Sequence, residues 1–234
     1  MSFVRARQPE QKEQRRMQVL DAAREMLAEG ARLQELSLHE LARRARMTKS
    51  NVYRYFETRE AVFLALLQDA WLEWMGALPK ALAARVRRAT AKGRTTDAID
   101  GVVEALVRTL AARPELCMLT AALPTTLEQN VGPETVWAFK EASRQSFELI
   151  ADYIILAAPV IPRAAALQLL HDGVALLVGL YPVCFPAPSV ELALAGAPEL
   201  QCFRYDFATE LRRLLGASLR DLVRRHASAH RRTD

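Results

Sequence analysis

The chain has 234 residues, 51% of them hydrophobic and 25% charged, with only 9 glycines and 11 prolines. That is enough apolar material for one large domain or two modest ones, and it excludes a chain disordered throughout. Cys117, Cys184 and Cys202 lie far apart without metal-ligand spacing, and an odd number cannot pair fully within one chain, so they read as reduced and intracellular.

The N-terminal stretch "MSFVRARQPEQKEQRR" lacks the apolar core of a secretory signal, so a cytoplasmic location is expected. The longest apolar run, Gly173 to Pro188, is short for a membrane span and is broken by Pro182 and Pro186, so no membrane role is expected. The net charge is +5, but residues 1–60 hold 13 Lys and Arg against 9 Asp and Glu, while the remainder holds 19 against 18. A basic front segment facing a polyanion and a merely solvated basic face both fit that asymmetry.

No alternating strand pattern occurs, and apolar residues recur at helical spacing almost throughout, which predicts an all-α protein. The first helix is expected from about Gln14 to Glu29, with Val19, Leu20, Ala23, Met26 and Leu27 on one face and Gly30 as its stop. "SLHE", Ser37 to Glu40, has the capping-box pattern and opens a short second helix. Thr48 caps a third, and Thr58 a fourth that begins near Arg59 and reads to about Met75. Beyond Gly76, longer helices are expected from near residues 95, 114, 133 and 162, the last three started by prolines. Arg163 to Tyr181 is apolar nearly all round. "FATELRRLLGASLRDLVRR" carries a final apolar stripe, and the segment between reads as a loop with one short helical turn.

Two short capped helices joined by a tight turn, Ser37 to Phe56, have the dimensions of a helix-turn-helix. At about 100° per residue, Val52 and Phe56 fall on one side of the third helix, with Ser50, Asn51 and Arg54 opposite and Tyr53 and Tyr55 at the edges. Such a ridge reads base edges while flanking hydroxyls and cations hold phosphates. The pattern alone equally allows both tyrosines to be core aromatics of a helical bundle.

"VLDAAREMLAEG" followed by "LSLHELARRARMTKSNVYRYFETREAVFLALL" resembles the N-terminal domain of the TetR (tetracycline repressor) family of bacterial transcription regulators, over about residues 14–70. The resemblance implies a helix-turn-helix at 37–56 within a DNA-binding domain of residues 14–75, behind a basic arm of residues 1–13. Ser37 and His39 would then approach DNA, while Thr48, Tyr53, Tyr55 and Arg59 hold phosphates and Lys49, Ser50, Asn51 and Arg54 lie at or near the bases. For His39 a cap neighbour without DNA contact is the alternative. Where the family usually has Gly in the turn, this chain has Arg46, which must then accept a less comfortable backbone with positive φ and could add a phosphate contact. The arm, with Arg5, Arg7, Lys12, Arg15 and Arg16, reads either as a minor-groove arm or as a disordered tail.

By the same resemblance, residues 76–234 form an effector-binding and dimerisation domain. Helices near 163–181 and 207–225 would pair with a second copy, and two copies would engage a palindromic double-stranded DNA operator. A buried single-chain core helix is the alternative for 163–181. Cys117, Met118, Trp137, Phe139, Phe147 and Tyr153 are candidate lining for an unidentified small-molecule effector, though each also suits ordinary packing. No metal spacing, nucleophile elbow or phosphate loop is evident, so neither an enzyme nor a cofactor or metal is expected. The rival reading is a helical ligand-binding or catalytic protein that keeps the front domain only as a folded bundle.

Overall fold

A computed structural model describes the backbone of residues 3–91 and 95–230 and the side chains of 10–91 and 97–228. The described residues form helices and no strand: α1 Phe3–Ala28, α2 Leu38–Arg44, α3 Lys49–Tyr53, α4 Arg59–Thr90 and α5 Thr95–Ala111, then α6 Pro114–Ala122. A single π-helical turn, Leu123–Leu127, follows, then α7 Pro133–Ala157, α8 Arg163–Cys184, α9 Pro188–Ala195, a 3-10 helix Pro198–Phe203 and α10 Phe207–His230. Contacts divide the chain into two compact units, Met1–Asp69 with Leu123–Lys140, and Ala70–Ala122 with Glu141–Asp234.

In the first unit, α1 packs on α2 and α2 on α3. Val19, Leu20 and Ala23 from α1, Leu41 from α2, Val52 from α3 and Val62 and Leu66 from α4 are fully buried. Each large aliphatic side chain so buried stabilises by roughly 1.5–3 kcal/mol. The first helix begins at Phe3, well before the expected Gln14. The added stretch is rich in Gln, Glu, Lys and Arg, good helix formers, and Arg16 pairs with Glu13 one turn back at 3.0 Å. The side chains of Arg5 and Arg7 lie outside the described residues. Gly30 ends α1 as expected: its φ is +94°, Ala31 N–H donates to Met26 C=O and Gly30 N–H to Leu27 C=O, both at 3.0 Å.

The fourth helix does not stop at Gly76. It runs on through Pro79 to Thr90. An internal proline removes one backbone bond and costs about 3 kcal/mol. Trp74, Leu78, Leu82 and Val86 keep the stripe buried across the interruption, so packing in the second unit outweighs the local preference. In that unit α10 packs on α8 and α5, and α6 on α8. Gly101 of α5 permits the closest approach, because a Cβ there would lie 2.7 Å from Val86 Cα. Trp74 Nε1–H donates to Thr109 Oγ1 at 2.9 Å, and the Trp71 ring meets Trp74 at 5.1 Å and Phe147 at 5.8 Å.

The stretch expected as a loop after α8 contains α9 and the 3-10 helix. Pro162 sits one position before α8, as its N-cap. By length and composition α4 and α8 could cross a membrane, and α8 extends through Pro182 instead of being broken by it.

Candidate nucleic-acid interface

The helix-turn-helix is built by local capping chemistry. Glu40 N–H donates to Ser37 Oγ at 3.3 Å, and the Ser37 N–H and O–H both donate to Glu40 Oε2 at 2.8 Å. The Ser37 backbone N–H, then its hydroxyl, hold the Glu40 carboxyl below the ordinary carboxylate range. The Ser37 hydroxyl proton is thus committed to the capping box. His39 is exposed on the same short helix.

The turn after α2 repeats the geometry that ends α1, with Met47 N–H donating to Ala42 C=O at 2.8 Å and Arg46 N–H to Arg43 C=O at 3.1 Å. Arg46 occupies the left-handed position at φ +53°, where α1 has Gly30. Arg46 is exposed.

Thr48 then caps α3 by accepting Asn51 N–H at 3.3 Å, and its hydroxyl lies 3.1 Å from that of Ser50. Val52 and Phe56 point inward, 0% and 5% exposed, while Lys49, Ser50, Asn51 and Arg54 are exposed. Tyr53 is 50% exposed, with Lys49 Nζ 5.7 Å from its ring centroid, so it is not a core aromatic. Tyr55 is half-buried. The regular helix is short: Arg54 is already its C-cap, and Phe56 N–H closes the last turn on Val52 C=O at 3.0 Å.

Arg59 is engaged within the first unit. Its Nη1 donates to the carbonyls of Gln34 at 2.9 Å and Leu36 at 3.2 Å, and its Nε to Glu60 Oε1 at 2.9 Å. The guanidinium therefore clamps the chain entering α2 to the start of α4. Burial pushes the Glu60 carboxyl up, but Arg59, the Glu60 backbone N–H and Asn130 Nδ2 together hold it below its ordinary value. Glu57 accepts Gly132 N–H and the Thr135 hydroxyl, both at 3.0 Å. Glu57, Glu60 and Asn130 were not anticipated, since their partners lie far along the chain and leave no local signature.

A groove of about 790 Å³ runs beside this surface, lined by Lys12, Arg15, Arg54, Tyr55 and three glutamines. Its local signal is that neither Lys12 nor Arg15 has an acid three or four positions away, whereas Arg16 has Glu13.

Of the six expected effector-lining residues, Trp137 and Phe139 belong to the first unit and Cys117, Met118, Phe147 and Tyr153 to the second. Trp137 is 70% exposed, and Cys117 is fully buried with its thiol donating to Leu110 C=O at 3.4 Å and pushed up to about 12 by burial. Phe139 lines a cavity of about 410 Å³ in the first unit, together with Tyr55, Glu57 and Thr135. Phe147 stacks between Trp71 and His171, its centroid 5.1 Å from the latter, and Met118 and Tyr153 are half-buried. Apolar and aromatic type selects packing positions as readily as lining ones, so composition alone does not separate the two.

On α8, Ala175 and Gly179 are exposed, and with Leu176, Leu180 and Leu214 they line a shallow apolar groove of about 340 Å³ against α10.

Residues 19–66 match the family model of bacterial regulatory proteins of the tetR family, and residues 71–225 match that of the tetracyclin repressor-like C-terminal domain. No curated protein matches the chain significantly. Among solved structures, a regulator described as TetR-family from Mesorhizobium loti is 15% identical with a TM-score of 0.54, covering 91% of this chain and 96% of its own. The fatty acid degradation regulator FadR from Bacillus halodurans is 16% identical over 88% of this chain and 94% of its own, with a TM-score of 0.49. A TetR transcriptional regulator from Rhodococcus sp. RHA1 is 20% identical over 88% and 96%, also at 0.49. With both family models matched in order and together spanning most of its length, the chain belongs to the TetR family of bacterial transcriptional regulators, whose DNA-binding part is the N-terminal domain.

Proposed function

We propose that the chain is a cytoplasmic, non-enzymatic repressor that binds a palindromic operator as a homodimer and leaves it when a small molecule occupies the C-terminal domain. The observation that carries this reading is the exposed Lys49–Ser50–Asn51 ridge on a helix held from behind by buried Val52 and Phe56. Recognition helices present their N-terminal residues to base edges. Asn51 pairs with adenine, Lys49 and Ser50 meet neighbouring bases, and Thr48 and Tyr53 hold phosphates on either side. His39 stands exposed where the supporting helix would meet the backbone.

The apolar groove between α8 and α10 supports self-association: small, exposed Ala175 and Gly179 allow close approach of a second α8. This also accounts for the apolar character of α8 without a membrane. Domain limits of 14–75 and 76–234 fit the reading, with α4 crossing between them. Because α4 is one continuous helix, an effector that biases its rear half alters the spacing of the two recognition helices, and operator affinity falls.

Selection of genomic fragments bound by the purified protein, followed by footprinting, tests the proposal. A two-fold symmetric footprint on DNA near the chain's own operon is expected. Absence of any salt-sensitive, sequence-dependent binding would overturn it.

A further inference from the structure

We propose that the groove between α1 and the end of α3 is a seat for the DNA sugar-phosphate backbone, and that Arg54 binds phosphate there instead of reading a base. The inference rests on the DNA-binding reading above and deepens it.

Its first support is the pattern of charge pairing. Arg16 pairs with Glu13 at 3.0 Å, Arg24 with Asp21 at 3.2 Å, Arg44 with Glu25 at 2.9 Å and Arg59 with Glu60 at 2.9 Å. Lys12, Arg15 and Arg54 make no ion pair among the described residues, and Arg15 donates to the neutral Gln18 at 3.0 Å. Those three cations line one concavity of about 790 Å³, whose remaining walls are Tyr55 and three glutamines. Among the described residues no carboxylate enters that lining. Like charges facing one cleft repel each other until an anion neutralises them, and a cleft focuses their field on whatever enters.

The second support is position. The base-facing ridge lies at the start of α3, at Lys49, Ser50 and Asn51, whereas Arg54 is the C-cap and lies beyond the last regular residue, Tyr53. A side chain there leaves the end of the recognition helix toward α1. The lining also suits a phosphodiester: three cations, a phenol and carboxamides offer donors to an oxyanion. With a stretch of backbone seated there, the N-terminal part of α1 becomes a helical clamp on the outside of the duplex, not a flexible arm.

The test uses the full chain and a selected genomic fragment, with Lys12→Ala, Arg15→Ala and Arg54→Ala made singly and Asn51→Ala as comparison. All four positions are exposed, and far-UV circular dichroism verifies folding. Between about 50 and 200 mM salt, each groove substitution is expected to lower the slope of log affinity against log salt by about 2, one contact per protomer in a dimer. The loss is expected to be equal across single-base variants of the site, while Asn51→Ala reorders them. An unchanged slope, or reordering of base variants by Arg54→Ala, overturns the proposal. Titration with inorganic phosphate at constant ionic strength separates the sources: saturable phosphate binding that the substitutions abolish while DNA slopes stay unchanged identifies a free-anion site and also overturns it. Lack of DNA binding by the unsubstituted chain removes the parent reading together with this one.

Discussion

Replacing Arg46 by glycine should stabilise the protein. Two helix ends in the first unit share one hydrogen-bond pattern, in which the backbone folds back on the last turn. One is closed by Gly30 at φ +94°, the other by Arg46 at φ +53°. A residue with a Cβ in the left-handed region costs roughly 1–2 kcal/mol. Glycine's larger unfolded-state entropy offsets roughly 0.5–1 kcal/mol of the gain. The net expectation for Arg46→Gly is a stabilisation of about 0.5–1 kcal/mol, or about 1–4 °C in Tm for a protein of this size. Arg46 is exposed and makes no ion pair among the described residues, so little else is lost. Arg46→Ala keeps the strained φ while removing the same cation, and should stay within about 0.5 kcal/mol of the parent. Reversible urea unfolding of the three proteins measures both differences. If Arg46→Gly is no more stable than Arg46→Ala, the left-handed strain is not the determinant and the reasoning fails. Any phosphate contact by Arg46 would appear separately, as an equal loss of DNA affinity in both variants.

Other consequences can be checked by similar means. Arg59→Ala leaves the Gln34 and Leu36 carbonyls and the Glu60 carboxylate without their donor, so it should cost about 1.5–3 kcal/mol in urea unfolding while leaving the salt slope of DNA binding unchanged; a lower slope would restore Arg59 as a phosphate contact. The Glu60 carboxyl is held below its ordinary value, so its contribution is present above about pH 4.3 and is lost as pH falls through the depressed folded value. Glu60→Gln should therefore flatten the acid limb of stability against pH, and an unaltered limb would show that Glu60 is not the group titrating. Leu180→Glu places a charge in the apolar groove between α8 and α10, and sedimentation velocity should find a monomer; a persisting dimer would move the interface elsewhere.

What could be read from the sequence was whatever chemistry closes within three or four positions. Ser37 with Glu40, Thr48 with Asn51 and Thr58 with Ala61 are pairs of that kind, and all three cap as expected. The inward turn of Val52 and Phe56 follows from helical period, and the positive φ of Arg46 from a turn that ordinarily takes glycine. Gly76 misled because the local cost of Gly76 and of Pro79 after it is a few kcal/mol, less than the burial of Trp74, Leu78 and Leu82 on the same helix supplies. The clamp made by Arg59 was illegible for a related reason. Sequence shows a cation at the start of α4 but not the carbonyls of Gln34 and Leu36, which arrive from the chain before α2.

Arg54 and Arg59 make the general point. They lie close in sequence, carry the same charge and are both expected at the DNA, yet one is turned into the fold by three acceptors and the other opens on a groove already holding Lys12 and Arg15. Net charge counts them equally. Electrostatic attraction for a polyanion depends instead on cations left without a carboxylate and gathered on one side, because a paired cation has little field left at a Debye length. On that basis the DNA-facing surface extends beyond the helix-turn-helix onto the N-terminal turns of α1, and the salt slopes of Lys12→Ala and Arg15→Ala measure that extension directly.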